Sequence, residues 1–327
     1  MLMIISDPAD ASAALVLPKL KEQGVETLWW DESSLAAGST LTIGLDGSVV
    51  RQTLTHEGRS YDLTEVTAVW HRRPRRPRAV AVADESQRAY ADLVTRDTLE
   101  GAYALMTDRW MPARPQDAKR IDYKALHLAM AARLGFSVPD TVVTNDPAEL
   151  VPAWHRASGR LICKTPEKLP FELDGEARHM YTTQVERRHL AGRHRMAHAP
   201  VILQPNVPKD RELRVTVVGD RVFAAEIDSQ SSRLTSLDWR HYEDQSVAYR
   251  PHDLPPLVER RCVELVRALG LSFGAIDLIR TPAGDYVFLE LNVNGQWGFV
   301  ELFAGLPISD AIAGWLSANE KRREGQR

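Results

Sequence analysis

Two oxygen-bearing side chains, Glu290 and Asn292, stand two residues apart at the end of the apolar run Tyr286-Val287-Phe288-Leu289-Glu290-Leu291-Asn292. In a strand, positions i and i+2 project from the same side, so a carboxylate and a carboxamide would point into one space. Asp277 lies in the preceding strand-like run, Gly274-Ala275-Ile276-Asp277-Leu278-Ile279, and Thr281-Pro282-Ala283-Gly284-Asp285 between the runs reads as a hairpin turn. If the runs pair, Asp277 falls beside Glu290 and completes a three-ligand site. Hard cations such as Mg²⁺ take oxygen ligands of this kind, few of them from protein. The competing reading makes Asp277 and Glu290 solvated strand residues. Both sit in buried-looking runs, however, where an unpaired carboxylate is costly.

The elements that must position these groups follow from periodicity. Residues 1 to about 110 read as one α/β unit: a strand at Leu2 to Ser6, a helix through Leu15, Leu17 and Leu20 that Pro18 bends or shortens, and strands at Val25 to Trp30 and Val66 to Trp70. Thr40 to Leu45 and Val49 to Leu54 alternate around an Asp46-Gly47 hairpin turn, and residues 85 to 106 carry a helical period. A helix is predicted from Asp122 to Leu134, and another opened by Asp146-Pro147-Ala148-Glu149, with Asp as N-cap, runs to about Ser158. Arg160 to Thr165 is a strand carrying Lys164, and 166 to 199 read as loop and short hairpin. Further on come a strand at Val201 to Gln204, a hairpin around Gly219-Asp220, an amphipathic helix through Val258, Cys262, Leu265, Val266 and Leu269, and a last helix through Ile308, Ile312, Trp315 and Leu316.

The 327 residues allow two or three domains, and 44% hydrophobic residues allow packed cores throughout. A net charge of -3 gives no basic field for nucleic acid. Two distant cysteines, Cys163 and Cys262, have no metal-ligand spacing and fit a reducing cytoplasm. The short apolar start lacks a basic region and a cleavage site, and no run reaches the length of a membrane span, so a cytoplasmic protein without a membrane partner is expected.

Several short motifs, taken together and in order, carry a family resemblance. Lys164, Gln204 to Val207, Glu212-Leu213-Arg214-Val215, Asp277, Glu290 and Asn292 resemble the ATP-grasp ligases. Thr144-Asn145-Asp146-Pro147, Asp238-Trp239-Arg240, Asn294-Gly295-Gln296-Trp297, Gly305-Leu306-Pro307-Ile308 and Trp70-His71-Arg72-Arg73-Pro74 are similar to one branch, the graspetide synthetases that make microviridin-type peptides. The resemblance implies an α/β ATP-grasp fold with an N-terminal pre-ATP-grasp domain (1–115), a central α/β subdomain (116–198) and a C-terminal α/β subdomain (199–318), followed by a frayed tail (319–327). It also implies ATP and Mg²⁺ as cofactors and the macrocyclisation of a ribosomal precursor peptide. Asp or Glu side chains would be activated as acyl phosphates and attacked by Thr or Ser hydroxyls or Lys amines. Two other readings stay open: an ATP-grasp ligase that adds an external amine to a peptide or protein, and a non-catalytic peptide-binding module.

On that resemblance Asp277, Glu290 and Asn292 are the metal ligands, and Lys124, Lys164 and Glu212 bind ATP. Gln204, Pro205, Asn206 and Val207 form the hinge that receives adenine, and Arg214 and Arg240 are the catalytic cations. Relatives usually read Gln-Glu-x-Val at the hinge, where this chain has Pro205 and Asn206, and Val293 stands where many have Pro. Surface roles compete for each: a snorkelling Lys164, a helical surface Lys124, and a cross-strand ion pair for Glu212 and Arg214. Arg72, Arg73, Gln296 and Trp297 are candidates for peptide contact, against a core role for Trp297 and a solvated loop for the run of arginines from Arg72 to Arg78. The expected partner is a precursor peptide with its leader segment, with a homodimer as one option and no nucleic acid.

Overall fold

The computed structural model describes residues 1–166, 171–173, 176–178, 181–231, 237 and 247–324. Along the first stretch run β1 (Leu2–Ile5), α1 (Ala11–Glu22), β2 (Thr27–Trp30), β3 (Thr40–Asp46), β4 (Val49–His56), β5 (Arg59–Asp62), β6 (Ala68–His71), α2 (Glu85–Ala104) and β7 (Trp110–Met111). The short apolar strands β2-β1-β6-β7 form a parallel sheet, buried as such sheets are. β3-β4-β5 form an antiparallel meander, its first turn closed by Gly47 at φ 58°. Asp10 caps α1 by accepting from the Ser12 and Ala13 amides, and Pro18 is accommodated inside the helix rather than ending it.

The middle stretch holds α3 (Pro115–Ile121), α4 (Lys124–Arg133), β8 (Val142–Thr144), α5 (Leu150–Arg156), β9 (Leu161–Lys164), β10 (Phe171–Leu173), β11 (Glu176–Arg178), β12 (Thr183–Val185), α6 (Arg187–Ala191) and β13 (Val201–Pro205). Asp146 does accept from an amide at the start of its helix, that of Ala148, but the first turn is a 3-10 turn and α5 proper begins at Leu150. β12-β9-β13-β8 form an antiparallel sheet over a small core of Leu150, Ala153, Leu161, Val185 and Leu203. β10 and β11 are the short hairpin expected within 166–199.

The last stretch is β14 (Arg211–Val218), β15 (Arg221–Ile227), β16 (Tyr249–Pro251), α7 (Pro256–Ala268), β17 (Phe273–Arg280), β18 (Tyr286–Asn292), α8 (Gly298–Ala304) and α9 (Ile308–Glu324). The sheet β16-β15-β14-β17-β18 is antiparallel and covered on both faces. One face packs Leu213, Val215, Val217, Ile276, Leu278 and Leu291 against α7 and against Leu128, Ala131 and Phe136 around α4. The other face is divided. Val218, Phe223, Ala225 and Phe273 join a core with α9, α1 and β1, and the rest of that face is polar.

Two elements next to the expected boundaries pair or pack across them. β13 pairs with β8 and β9, so the strand that was placed with the C-terminal subdomain from 199 belongs to the central sheet. α4, placed with the central subdomain, packs its apolar side on the C-terminal sheet instead. The segment from 319 is helical as far as Glu324, where a frayed tail was expected.

Candidate active site

β17 and β18 pair as the sequence suggests, with Asp277 opposite Glu290 and Ala275 opposite Asn292. The register breaks once: Leu278 faces Phe288, so Leu289 is an extra residue. This bulge decides the site. Phe288 and Glu290 are two apart and would share a face in a regular strand, yet Phe288 is buried in the core while Glu290 stands with Asp277. Beyond the bulge Leu291 returns to the core and Asn292 to the polar face.

The three groups converge. The Asn292 amide Nδ2 donates to Asp277 Oδ2 at 3.0 Å and to Glu290 Oε1 at 3.3 Å. Two cations neutralise the carboxylates: Arg214 on β14 lies opposite Asp277, with Nη1 3.2 Å from Oδ1, and Lys124 Nζ is 3.6 Å from Glu290 Oε2. Arg214 and Asp277 are both buried, so each supplies the charge that the other would lack. The Arg214 guanidinium also lies 5.9 Å from the Phe299 ring centre.

Lys124 opens α4 and donates to the Thr165 carbonyl at 3.1 Å. It therefore joins the end of β9, which carries Lys164, to the carboxylates of the C-terminal sheet. That contact and the Glu290 pair explain a cation tolerated at a helix N-terminus, where the dipole opposes it. Lys164 is half-buried and pairs across the sheet with Ile202. Gln204 is buried, its Nε2 donating to Thr141 Oγ1 at 2.9 Å, and the Asn206 amide donates to the Arg160 carbonyl at 2.7 Å, so the segment around Pro205 is tied to the central sheet. Val207 follows directly.

Glu212 shares the polar face with Arg214, as alternation predicts. It is buried, ion-paired to Lys209 Nζ at 2.6 Å and accepts from Ser229 Oγ at 3.0 Å. Sequence reasoning missed both partners. The signal for Lys209 was present: a glutamate inside a buried strand needs a cation, and Lys209 precedes it by three residues. Arg240, with its Asp238-Trp239 neighbours, lies outside the described residues.

The four candidates for peptide contact divide. Trp297 is wholly buried in the core of α1, α8 and α9. Arg72 is also buried, and donates to the Asn294 and Gly295 carbonyls and to the Asn294 and Gln296 side chains. Burial lowers its pKa to about 10 against the opposing pull of Asp10, so it stays charged at neutral pH. Arg73 and Gln296 are exposed, though Arg73 reaches the Asn294 carbonyl and Gln296 accepts from Arg72 and Ser12. The dense arginine run is therefore not one surface: Arg72 points inward, and Arg75 is ion-paired to Asp31 at 2.7 Å.

Two carboxylates and a carboxamide fit a hard cation with few protein ligands. Among the described residues no three His, Cys, Asp or Glu side chains gather into a metal-binding group; the mixed trio is a candidate because its own polar groups converge. Its amide nitrogen faces both carboxylates, and a half-turn of the Asn292 carboxamide presents oxygen instead. Which atom points inward is set by the hydrogen bonds around it.

No protein-family model and no curated protein matches the chain. Solved structures do. A Chryseobacterium gregarium RiPP-associated ATP-grasp ligase, in complex with ADP and a leader and core peptide, superposes with a TM-score of 0.87 at 27% identity, over 97% of this chain and 96% of that one. The macrocyclase MdnC from Microcystis aeruginosa MRC, bound with precursor peptide MdnA, gives 0.84 at 26% identity, over 96% and 98%. The ATP-grasp ligase PsnB, complexed with minimal precursor, Mg and ADP, shares the fold at TM-score 0.77 and 21% identity, over 98% of both chains. No described helix is long and apolar enough to cross a membrane. With the same fold along nearly its whole length as these RiPP-associated ligases, and with the motifs that first suggested it, the chain has the ATP-grasp ligase fold and is similar to RiPP-associated ATP-grasp ligases and macrocyclases.

Proposed function

We propose that the protein closes rings in a ribosomally made precursor peptide, driven by ATP, joining Asp or Glu side chains to Thr or Ser hydroxyls or Lys amines of the same peptide. The observation that carries this reading is the oxygen cluster Asp277–Glu290–Asn292 next to Arg214 and Lys124. It sits on a fold shared with a RiPP-associated ligase and with MdnC. ATP supplies the phosphoryl group that turns a carboxylate oxygen into a good leaving group, and Mg²⁺ neutralises the phosphate charge.

The chain's own residues then have separate tasks. Asp277, Glu290 and Asn292 would hold the cation. Lys124 and Lys164 would draw the phosphates between the central and C-terminal sheets, and the backbone from Gln204 to Val207 would receive the base. Glu212, held by Lys209 and Ser229, would take ribose or a metal-bound phosphate. Arg214 is fixed by Asp277 before any substrate arrives, and a fixed cation costs no reorganisation when charge develops on the transferring group. Arg240 would be a second cation for the transferring phosphoryl group. Arg73 and Gln296 remain open to peptide. Ring closure gains from holding both reacting groups of one peptide together, and a bound leader adds binding energy remote from the reaction.

The test incubates the enzyme with ATP, Mg²⁺ and the peptide of a neighbouring small reading frame rich in Thr/Ser and Asp/Glu. The peptide should lose one water per crosslink. A gain in mass when a free amine is supplied points to the external-amine ligase instead, and an unchanged mass with ATP consumed nowhere overturns both.

A further inference from the structure

Within the first-domain signature Trp70-His71-Arg72-Arg73-Pro74, Arg72 has no task in the reaction so far, yet it makes a dense set of bonds next to the site. It leaves the C-terminal end of β6 and reaches the turn that directly follows Asn292. Nη1 donates to the Asn294 carbonyl at 2.9 Å, the Asn294 Oδ1 at 3.0 Å and the Gly295 carbonyl at 3.1 Å. Nη2 donates to Gln296 Oε1 at 2.6 Å, and Nε lies 3.4 Å from Asp10 Oδ2. Asn294 answers with its own Nδ2, which donates to the His71 and Arg72 carbonyls.

The turn is held on its other sides as well. Val293 is buried in the C-terminal core, and the Gly295 amide donates back to the Asn292 carbonyl at 3.2 Å. A Cβ on Gly295 would come within 2.5 Å of Ala275 Cβ and 3.0 Å of Asn292 Cβ. Ala275 is the register partner of Asn292 and stands two residues before Asp277. The chain from the Arg72 guanidinium to the oxygen cluster is thus continuous: Arg72, the 294–296 backbone, Gly295 against Ala275 and Asn292.

We propose that Arg72 is a positioning residue for the cation site, through which the N-terminal domain fixes the backbone after β18 and so the placement of Asn292 and Glu290. The fork geometry matters here, since a planar guanidinium spreads its donors over acceptors that a compact ammonium would have to reach from one point. Groups that orient metal ligands from outside the ligand set change cation affinity by about 10–100-fold when removed. The inference rests on the assignment of Asp277, Glu290 and Asn292 to the cation.

The experiment measures ADP binding by calorimetry across a Mg²⁺ series and again in EDTA, with the full-length chain. Arg72→Lys should raise the Mg²⁺ concentration for half-maximal tightening by about tenfold or more, with ADP affinity in EDTA unchanged. Asn294→Ala should move the same way, and the double variant should be no worse than the worse single one. An unchanged Mg²⁺ dependence, or an equal loss in EDTA, overturns the inference, because general damage lowers both. If Arg72→Lys does not fold, Asn294→Ala decides by the same criteria. Glu290→Gln separates the two assumptions: if it leaves the Mg²⁺ dependence intact, the cation assignment itself falls; if it shifts it and Arg72→Lys does not, only the role of Arg72 falls.

Discussion

The central and C-terminal sheets both carry residues proposed for the nucleotide, but they are built to different standards. Strands β14 and β17 are each eight residues long, and their sheet is covered on both faces. Strands β8, β9 and β12 are three or four residues long, over a core that among the described residues has five buried side chains, Leu150, Ala153, Leu161, Val185 and Leu203. The carboxylates and Arg214, whose mutual geometry must be exact within a fraction of an ångström for cation and phosphoryl chemistry, stand on the thick sheet. Lys164 and Gln204, proposed to meet a flexible phosphate tail and a flat base, stand on the thin one. Local stability follows buried apolar contact, so the thin sheet is the part that opens first.

The largest effect that would test this contrast is chemical. Glu290→Gln on the thick sheet should lower crosslinking by about 10²–10³-fold, read as the rate of water loss from the peptide by mass spectrometry. A loss of only a few-fold would mean that the rigid sheet does not hold the reaction. Next comes packing. Phe288→Ala empties the core directly behind the bulge and should cost about 3–5 kcal/mol, against about 2–5 kcal/mol for Leu203→Ala in the central sheet. Hydrogen exchange should show the Phe288 variant loosening the whole chain, and the Leu203 variant only β8, β9, β12 and β13.

The two cysteines report on the two sheets without any substitution. Cys262 is wholly buried in the core of the thick sheet, and burial pushes its thiol up to about 12. Cys163 on β9 is half-buried, and burial raises it as well. A thiol-directed reagent at pH 8 should modify Cys163 well before Cys262, because thiolate and access are both required. The sign for stability follows from the raised value. The contribution of the protonated Cys262 is fully present below the unfolded pKa near 9.0 and is lost as pH rises towards about 12, so denaturation midpoints should fall across that window. The smallest effect should come from Thr141→Val, which removes one hydrogen bond to Gln204. A cost of about 0.5–1.5 kcal/mol should appear as a modest rise in the KM for ATP with kcat kept.

Much of this was legible in the chain. Pairing of β17 with β18 followed from two apolar runs around a turn, and the shared face of Glu212 and Arg214 from simple alternation. The bulge was hidden because Tyr286 to Leu291 is apolar at nearly every position, so nothing marks the change of side between Phe288 and Glu290. The partner of α4 was hidden for a different reason: its apolar stripe says that it is covered, not by what, and neighbouring sequence suggested the wrong sheet. Arg72 read as surface because arginine-rich, proline-broken runs usually are. Only tertiary structure supplies the carbonyls that bury it.

Gly295 has no left-handed backbone to explain it, since its φ is not among the positive ones. It is there for width. With Ala275 directly across, the turn and the strand beneath it are separated by a hydrogen atom, and any larger side chain would act as a shim between them. The thickness of that joint is therefore written jointly by two positions twenty residues apart. Ala275→Gly would remove the tightest contact that Gly295→Ala meets, leaving the one with Asn292.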